Sequence, residues 1–322
     1  MEYNLKTTMT ILTERVPEEL AGMRLDQCLA EIFPDYSRSK LQIWIKDGRV
    51  KVNGQTLKGR EKLDGGEEIE LDAEAEVVLE CDAEDIPLDI IYEDDSLLIV
   101  NKPAGLVVHP AVGNWHGTLV NALLNHEPEL NILPRAGIVH RIDKDTSGLL
   151  MVAKTLQAHN SLVEQLQERS IEREYLALVK GWMTAGGCVD EPIGRHRIDR
   201  KRNAVRRDGK EAITHYRLEK RFKRHTLIRV KLETGRTHQI RVHMAHINYP
   251  LVGDQVYGGR FQMPADCSPA LAAALRSFKR QALHAAKLGL EHPETGEYCE
   301  WEQPMPEDMQ HLLQVLAENE LD

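Results

Sequence analysis

The run Gly137-Ile138-Val139-His140-Arg141-Ile142-Asp143-Lys144-Asp145-Thr146-Ser147-Gly148 leads from short apolar residues into a charged stretch. An apolar run, Leu149 to Ala153, follows. Charge packed between two strand-like runs reads as a loop held by rigid elements, a common setting for catalysis. Asp143 stands among His140, Arg141 and Lys144, and a carboxylate placed among cations suits nucleophilic attack. An ordinary charged turn with a capping Asp, Thr or Ser has the same composition, so local chemistry leaves both readings open.

A second run, Thr234-Gly235-Arg236-Thr237-His238-Gln239-Ile240-Arg241-Val242-His243-Met244-Ala245-His246, reads as a turn into a helix. Arg236 and Arg241 offer forked donors for carboxylate or phosphate. Of its histidines only His243 and His246 fall on one helical face, with no glutamate between them, so no metal site is expected. The run Ile171-Glu172-Arg173-Glu174-Tyr175 opens a strand, where a lone tyrosine usually packs. From Gly194 to Arg207 seven basic residues face one acid, Asp199. Such density in a loop fits nucleic-acid contact, although a solvated loop has the same look. P-loop, GxGxxG and GxSxG motifs are missing, which argues against nucleotide-dependent and serine-hydrolase chemistry.

These motifs need elements to position them. Asp89 to Tyr92, Leu97 to Val100, Leu149 to Ala153, Tyr175 to Val179 and Leu227 to Leu232 read as strands. Thr118 to Asn125, Leu156 to Arg169 and Asp308 to Glu318 carry helical spacing. Strands and helices mix without regular alternation, which predicts an α+β domain with a mixed or mainly antiparallel sheet. Ahead of it lies a smaller unit. Leu25, Leu29 and Ile32 share one helical face; Leu41, Trp44 and Ile45 share another, in a helix starting near Ser37 or Ser39. Val50 and Val52 alternate with charge, Asn53-Gly54 is a hairpin signal, and Glu68 to Leu71 reads as a last strand.

Charge divides unevenly. The chain of 322 residues has a formal net charge of −10, yet residues 61–95 hold sixteen acids and one lysine. The remaining 40 basic and 35 acidic residues leave +5, so the acidic total does not exclude a polyanionic partner. From Ser37 to Arg60 seven basic residues face only Asp47, a solvated face or a phosphate-contacting one. Five scattered cysteines without a CxxC pair read as reduced thiols. No apolar run approaches the roughly 20 residues of a membrane span. Met1 to Val16 lacks the apolar core of a signal peptide, so a cytoplasmic protein is expected.

Together, HRIDKDTSG (140–148), EREYLALV (172–179), LETGRTHQIRVHMAHINYPLVGDQVYGG (232–259) and HPETGE (292–297) resemble the motifs of the RluA family of pseudouridine synthases. Ile142 stands where that family usually has leucine. RLDQCL (24–29) and SRSKLQIWIKDGRVKVNG (37–54) resemble the S4 RNA-binding domain. The likeness runs through nearly the whole chain, and its layout is that of members acting on the large ribosomal subunit. It implies a pseudouridine synthase fold with a largely antiparallel mixed sheet and a central cleft. The expected layout is an S4-like domain at 1–75, an acidic linker at 76–88 and a catalytic domain at 89–322. By resemblance Asp143 is the nucleophile, Tyr175 lies against the uracil, and Arg241 pairs with Asp143. Expected RNA contacts are Arg38, Lys40, Arg49, Lys51, Arg141, Arg200, Lys201, Arg202, Arg236, His238 and Gln239.

The implied substrate is uridine in 23S ribosomal RNA, free or in a pre-ribosomal particle, with a tRNA target or a non-catalytic RNA-binding assembly factor as the alternatives. The reaction breaks C1′–N1, turns the base and forms C1′–C5 without redox change, so no cofactor or metal is called for. The base must leave the stack to be reached. Attack at C1′, addition at C6 and a glycal route all remain open at this stage. A monomer without membrane attachment is expected.

Overall fold

A computed structural model of the chain describes residues 9–33, 36, 38–74, 81–110, 114–199, 202–260, 263–264 and 267–320; the side chains of residues 9, 10, 39, 40 and 74 lie outside this description. The chain divides into two compact units, 1–80 and 81–322. In the first, β1 (Met9–Arg15), α1 (Leu25–Ile32), α2 (Arg38–Lys46), β2 (Val50–Val52) and β3 (Glu68–Glu74) follow in order. The strands form an antiparallel sheet ordered β1-β3-β2. Leu25 and Leu29 from α1 and Leu41, Trp44 and Ile45 from α2 are buried with Val50, Val52, Ile69 and Leu71, so the helical and strand periods both turn their apolar residues to one core. Asn53 and Gly54 have φ of 48° and 77° and make the tight turn they signal, closed by Gln55 N–H donating to the Val52 carbonyl at 3.0 Å. The hairpin stops there, because β2 takes β3 as its partner.

The second unit contains β4 (Ile90–Glu93), β5 (Leu97–Lys102), α3 (Leu119–His126), β6 (Ser147–Ala153), α4 (Leu156–Glu168) and β7 (Glu172–Lys180). Then come β8 (Gly187–Asp190), β9 (Ile193–Arg195), β10 (Asn203–Val205), β11 (Ile213–Phe222), β12 (His225–Leu232) and α5 (Gln239–His246). α6 (Pro269–Ser277), β13 (Leu283–Glu291), β14 (Tyr298–Glu302) and α7 (Glu307–Glu318) complete it. A nine-stranded sheet runs β4-β5-β6-β13-β7-β12-β11-β8, with β14 on β13, while β9 and β10 make a separate ribbon. Only β6 and β13 pair in parallel; the other pairings in that sheet are antiparallel. Among the described residues no helix is long and apolar enough to cross a membrane.

Two strands matter most for position. Every residue of β6 is buried, which fixes the end of the Asp143 loop that runs into it. Gly148 at its start has φ +112°, and a Cβ there would lie 2.2 Å from the Ala285 carbonyl oxygen of β13. The parallel pairing thus requires glycine beside the loop. Along β7, Arg173, Tyr175 and Ala177 face inward and alternate with Glu172, Glu174 and Leu176, as the two-residue period of a strand dictates. Residues 81–88, expected in the linker, lie against α3: Asn121 Nδ2 donates to the Asp82 carbonyl at 2.8 Å, and the Glu84 carboxylate accepts from Gly117 N–H at 3.0 Å.

Candidate active site

Asp143 sits in the loop between a short 3-10 turn, Pro134–Gly137, and β6. Several bonds pin that loop. Thr146 N–H donates to the Asp143 carbonyl at 3.1 Å. The buried Lys102 donates its Nζ to the carbonyls of Pro103, Leu106 and Lys144 at 2.8, 2.9 and 2.9 Å. Gln281 Nε2 donates to Thr146 Oγ1 at 3.1 Å. A lysine carrying three carbonyl acceptors ties two loops together one residue from Asp143.

Arg241 on α5 donates its Nη1 to Asp143 Oδ2 at 2.8 Å. Its other edge is held by Asp254, with Nε to Oδ2 at 2.7 Å and Nη2 to Oδ1 at 2.9 Å. Asp254 Oδ1 also accepts from Val256 and Tyr257 N–H, at 2.8 and 2.9 Å. Burial opposes charge on both side chains. Even so, Arg241 and the two amides hold the Asp254 carboxyl below its usual range. Asp254 and Asp143 in turn push the Arg241 guanidinium up. Arg241 is therefore a fixed cation, 5.0 Å above the Tyr257 ring, with one free edge turned to Asp143.

His238 caps the start of α5 in a left-handed conformation, φ 60°, a geometry that costs about 1–3 kcal/mol and clusters at functional sites. Its Nδ1 lies 2.8 Å from Tyr257 Oη, which also accepts from Asn203 N–H at 2.9 Å. Its Nε2 is 3.8 Å from Asp143 Oδ1. Burial pushes this imidazole down, against the upward pull of Asp143.

Tyr175 on β7 is buried between its register partners Val230 and Ala285. Burial pushes its phenol up, so the ring is neutral at physiological pH. Asp143, Tyr175 and Arg241 line one cleft of ≈ 580 Å³. Ile142, Ile240 and Leu283 supply apolar wall; Arg135, Arg141, Arg169, Arg173 and Arg236 line it as well, against one further acid, Glu233, which pairs with Arg169 at 3.3 Å. A carboxylate clamped by arginine, an aromatic ring beside it and a cationic surround suit attack on a flat, uncharged base carried on a polyanion.

A family profile described as RNA pseudouridylate synthase matches residues 96–246, and an S4 domain profile matches residues 23–69. The chain is 57% identical over 304 residues to ribosomal large subunit pseudouridine synthase D of Pseudomonas aeruginosa, covering 94% of this chain and 95% of that one. It is 56% identical over 306 residues to the protein of that name from Escherichia coli, covering 95% of this chain and 94% of the other. The chain belongs to the RNA pseudouridine synthase family. Two solved structures share its fold. Human RNA pseudouridylate synthase domain containing 1 superposes with a TM-score of 0.53 at 23% identity, over 73% of this chain and 96% of that one. Its counterpart numbered 4 gives 0.54 at 24%, over 71% and 92%.

Within this pseudouridine synthase the expected RNA contacts fall into distinct settings. Arg141, Arg236 and His238 line the cleft. Arg202 lies 5.3 Å over the Tyr257 ring. Gln239 lines it too, but its amide is fully engaged: Oε1 accepts from Thr234 Oγ1 and Arg236 N–H, while Nε2 donates to the Ile213 carbonyl and Thr214 Oγ1. That side chain braces the turn into α5 and keeps no donor or acceptor for RNA. In the first unit Lys51 is exposed and Arg49 half-buried, and Arg38 pairs with the buried Asp26 at 3.2 Å. The side chain of Lys40, and all of Arg200 and Lys201, lie outside the described residues.

Three residues took no role in the sequence reading. Asp254 and Tyr257 lie inside the 232–259 run, but nothing in the run says that they fold back onto Arg241 and His238. Arg173 lay in view as an arginine on the inward-facing alternation of a strand.

Proposed function

We propose that this chain isomerises selected uridines of large-subunit ribosomal RNA to pseudouridine, in the cytoplasm and as a monomer. Asp143 acts as nucleophile and Tyr175 packs on the base. The names of its relatives and the S4 domain support an RNA of the large subunit. The observation that carries the chemistry is the three-part clamp in which Asp254 fixes Arg241 and Arg241 holds Asp143 at 2.8 Å. Such preorganisation suits a step in which a carboxylate must meet a sugar or base carbon at a fixed angle.

The extruded uridine enters the cleft. An Asp143 oxygen bonds to a carbon of the nucleotide, the C1′–N1 bond breaks, the freed uracil turns against Tyr175, C1′–C5 forms, and the bond to Asp143 breaks to restore its carboxylate. The C5 proton leaves and N1 takes one up, so atoms and electrons balance within the nucleotide. The backbone is held by the basic wall, and Arg38, Lys40, Arg49 and Lys51 contact RNA from the S4 unit.

The test is the pseudouridine profile of cells lacking the gene. Specific pseudouridines should vanish from large-subunit ribosomal RNA and return with the wild-type gene. Loss in tRNA instead would redirect the substrate, and an unchanged profile would mean a non-catalytic RNA-binding role.

A further inference from the structure

We propose that Arg173 binds a backbone phosphate of the RNA beside the extruded uridine. The inference rests on the pseudouridine synthase reading above and adds a residue to it.

Arg173 is 7% exposed, on the inward face of β7 and on the wall of the active-site cleft. Inward positions of that strand otherwise carry Tyr175, Ala177 and Val179. Among the described residues its Nε has no hydrogen-bond partner. Nη2 reaches only the Glu233 carbonyl, at 3.5 Å. The Glu233 carboxylate is turned to Arg169 and His215 instead. No carboxylate among the described residues lies within ion-pair reach of this guanidinium.

Its other neighbours are neutral. His140 Nε2 accepts from Met151 N–H at 3.0 Å, and burial, with the charge of Arg173, pushes that imidazole down to about 3. Tyr175 keeps its proton. The fold also makes room for the cation: a Cβ at Gly235 would lie 3.0 Å from Arg173 Nη1. A cation is thus buried without its counter-charge, which is costly unless a ligand brings one.

RNA brings phosphate, which guanidinium takes in a forked, charge-assisted pair. The spacing fits. Arg173 and Tyr175 stand two residues apart on one face, roughly 6.6 Å at a rise of ~3.3 Å per residue. That span suits a nucleotide whose base lies on the ring and whose phosphate meets the guanidinium.

The experiment uses the full chain, Arg173→Met and Arg173→Lys, with a transcript of large-subunit ribosomal RNA. KM, kcat and RNA affinity are measured from about 50 to about 200 mM salt. Arg173→Met should raise KM about tenfold or more while kcat stays within about threefold. Its log Kd against log salt should be shallower by about 0.7, the value of one single-strand phosphate. Arg173→Lys should keep the wild-type slope. The melting temperature of Arg173→Met should equal or exceed that of wild type, because the charge removed had no partner. An unchanged KM would overturn the assignment. So would a raised KM with an unchanged salt slope, which would mean contact with an uncharged base edge. A lowered melting temperature, with both slopes as in wild type, would mean a structural role. If wild type converts no uridine in either the transcript or a pre-ribosomal large-subunit particle, the functional reading fails; if it converts normally and the slope does not move, only Arg173 fails.

Discussion

Asp254→Asn is the perturbation that separates the Arg241 clamp from the Asp143 it holds. The amide keeps one oxygen to accept from Val256, Tyr257 and Arg241 Nη2, but sets an NH2 against Arg241 Nε–H. Either way round, at least one donor is left facing another. Arg241 makes three charge-assisted bonds, two of them to Asp254. Weakening two such bonds at about 1.5 kcal/mol each gives about 3 kcal/mol, at the lower end of the ~3–5 kcal/mol for breaking a buried pair. For a unit this large that is a fall in Tm of about 6–12 °C, at ~2–4 °C per kcal/mol. Arg241, loosened, no longer fixes Asp143, and misplacement by about 1 Å costs on the order of 100-fold in rate. The assay pairs thermal unfolding with single-turnover pseudouridine formation at a temperature where the variant is folded. RNA affinity should change less than about threefold. Asp143→Asn, by contrast, leaves both Asp254 bonds in place and should melt within about 3 °C of wild type. Wild-type Tm and rate in Asp254→Asn would refute the clamp.

Gly148→Ala should cost more than about 3 kcal/mol, because its Cβ meets the Ala285 carbonyl at 2.2 Å. Gly296→Ala, with φ +71° and open space around it, should cost only about 1 kcal/mol; equal losses in denaturant melts would contradict this. Tyr175→Leu removes stacking worth ~1–3 kcal/mol per base and should raise KM about 5- to 150-fold, while Tyr175→Phe keeps the ring and should leave KM within about threefold. His109 and His140 are half-buried and His225 is buried, and the loss of solvent around them pushes their imidazoles down to about 4, about 3 and about 4. Below pH ~6.5 the unfolded chain binds protons that the folded chain refuses, so stability should fall as pH drops from ~6.5 towards ~4. His140→Gln should show a shallower fall than wild type in melts across that window, and an equal or steeper fall would count against a neutral His140.

That Asp143, Tyr175 and Arg241 meet in one cleft was legible because they lie in long motifs whose order in the chain is itself informative. Local chemistry alone left Asp143 between a catalytic loop and a capped turn. The α+β class followed from irregular mixing of strand and helix signals, and β5, β6, α4, β12 and α7 from their periods. β13 was not legible: Leu283–Glu291, LHAAKLGLE, carries alanine, leucine and lysine, residues that favour helix. It is a strand because β6, β7 and β14 surround it, a tertiary effect that no window reports. Asn53-Gly54 turned the chain as its residues require, yet β2 paired with β3, since residues 55–67 break at Gly59, Gly65 and Gly66 instead of alternating. Spacing also could not show that Gln239 spends its amide inside a turn, nor that Asp254 returns to Arg241 from thirteen residues on.

The central claim is that Asp143, held by Arg241, performs the isomerisation. Purified Asp143→Ala and wild type should be compared in single turnover on a large-subunit ribosomal RNA transcript, with RNA affinity measured on the same preparations. The account predicts no pseudouridine above background in Asp143→Ala, with RNA bound within about threefold of wild type. Conversion by Asp143→Ala at a rate within about tenfold of wild type would contradict it.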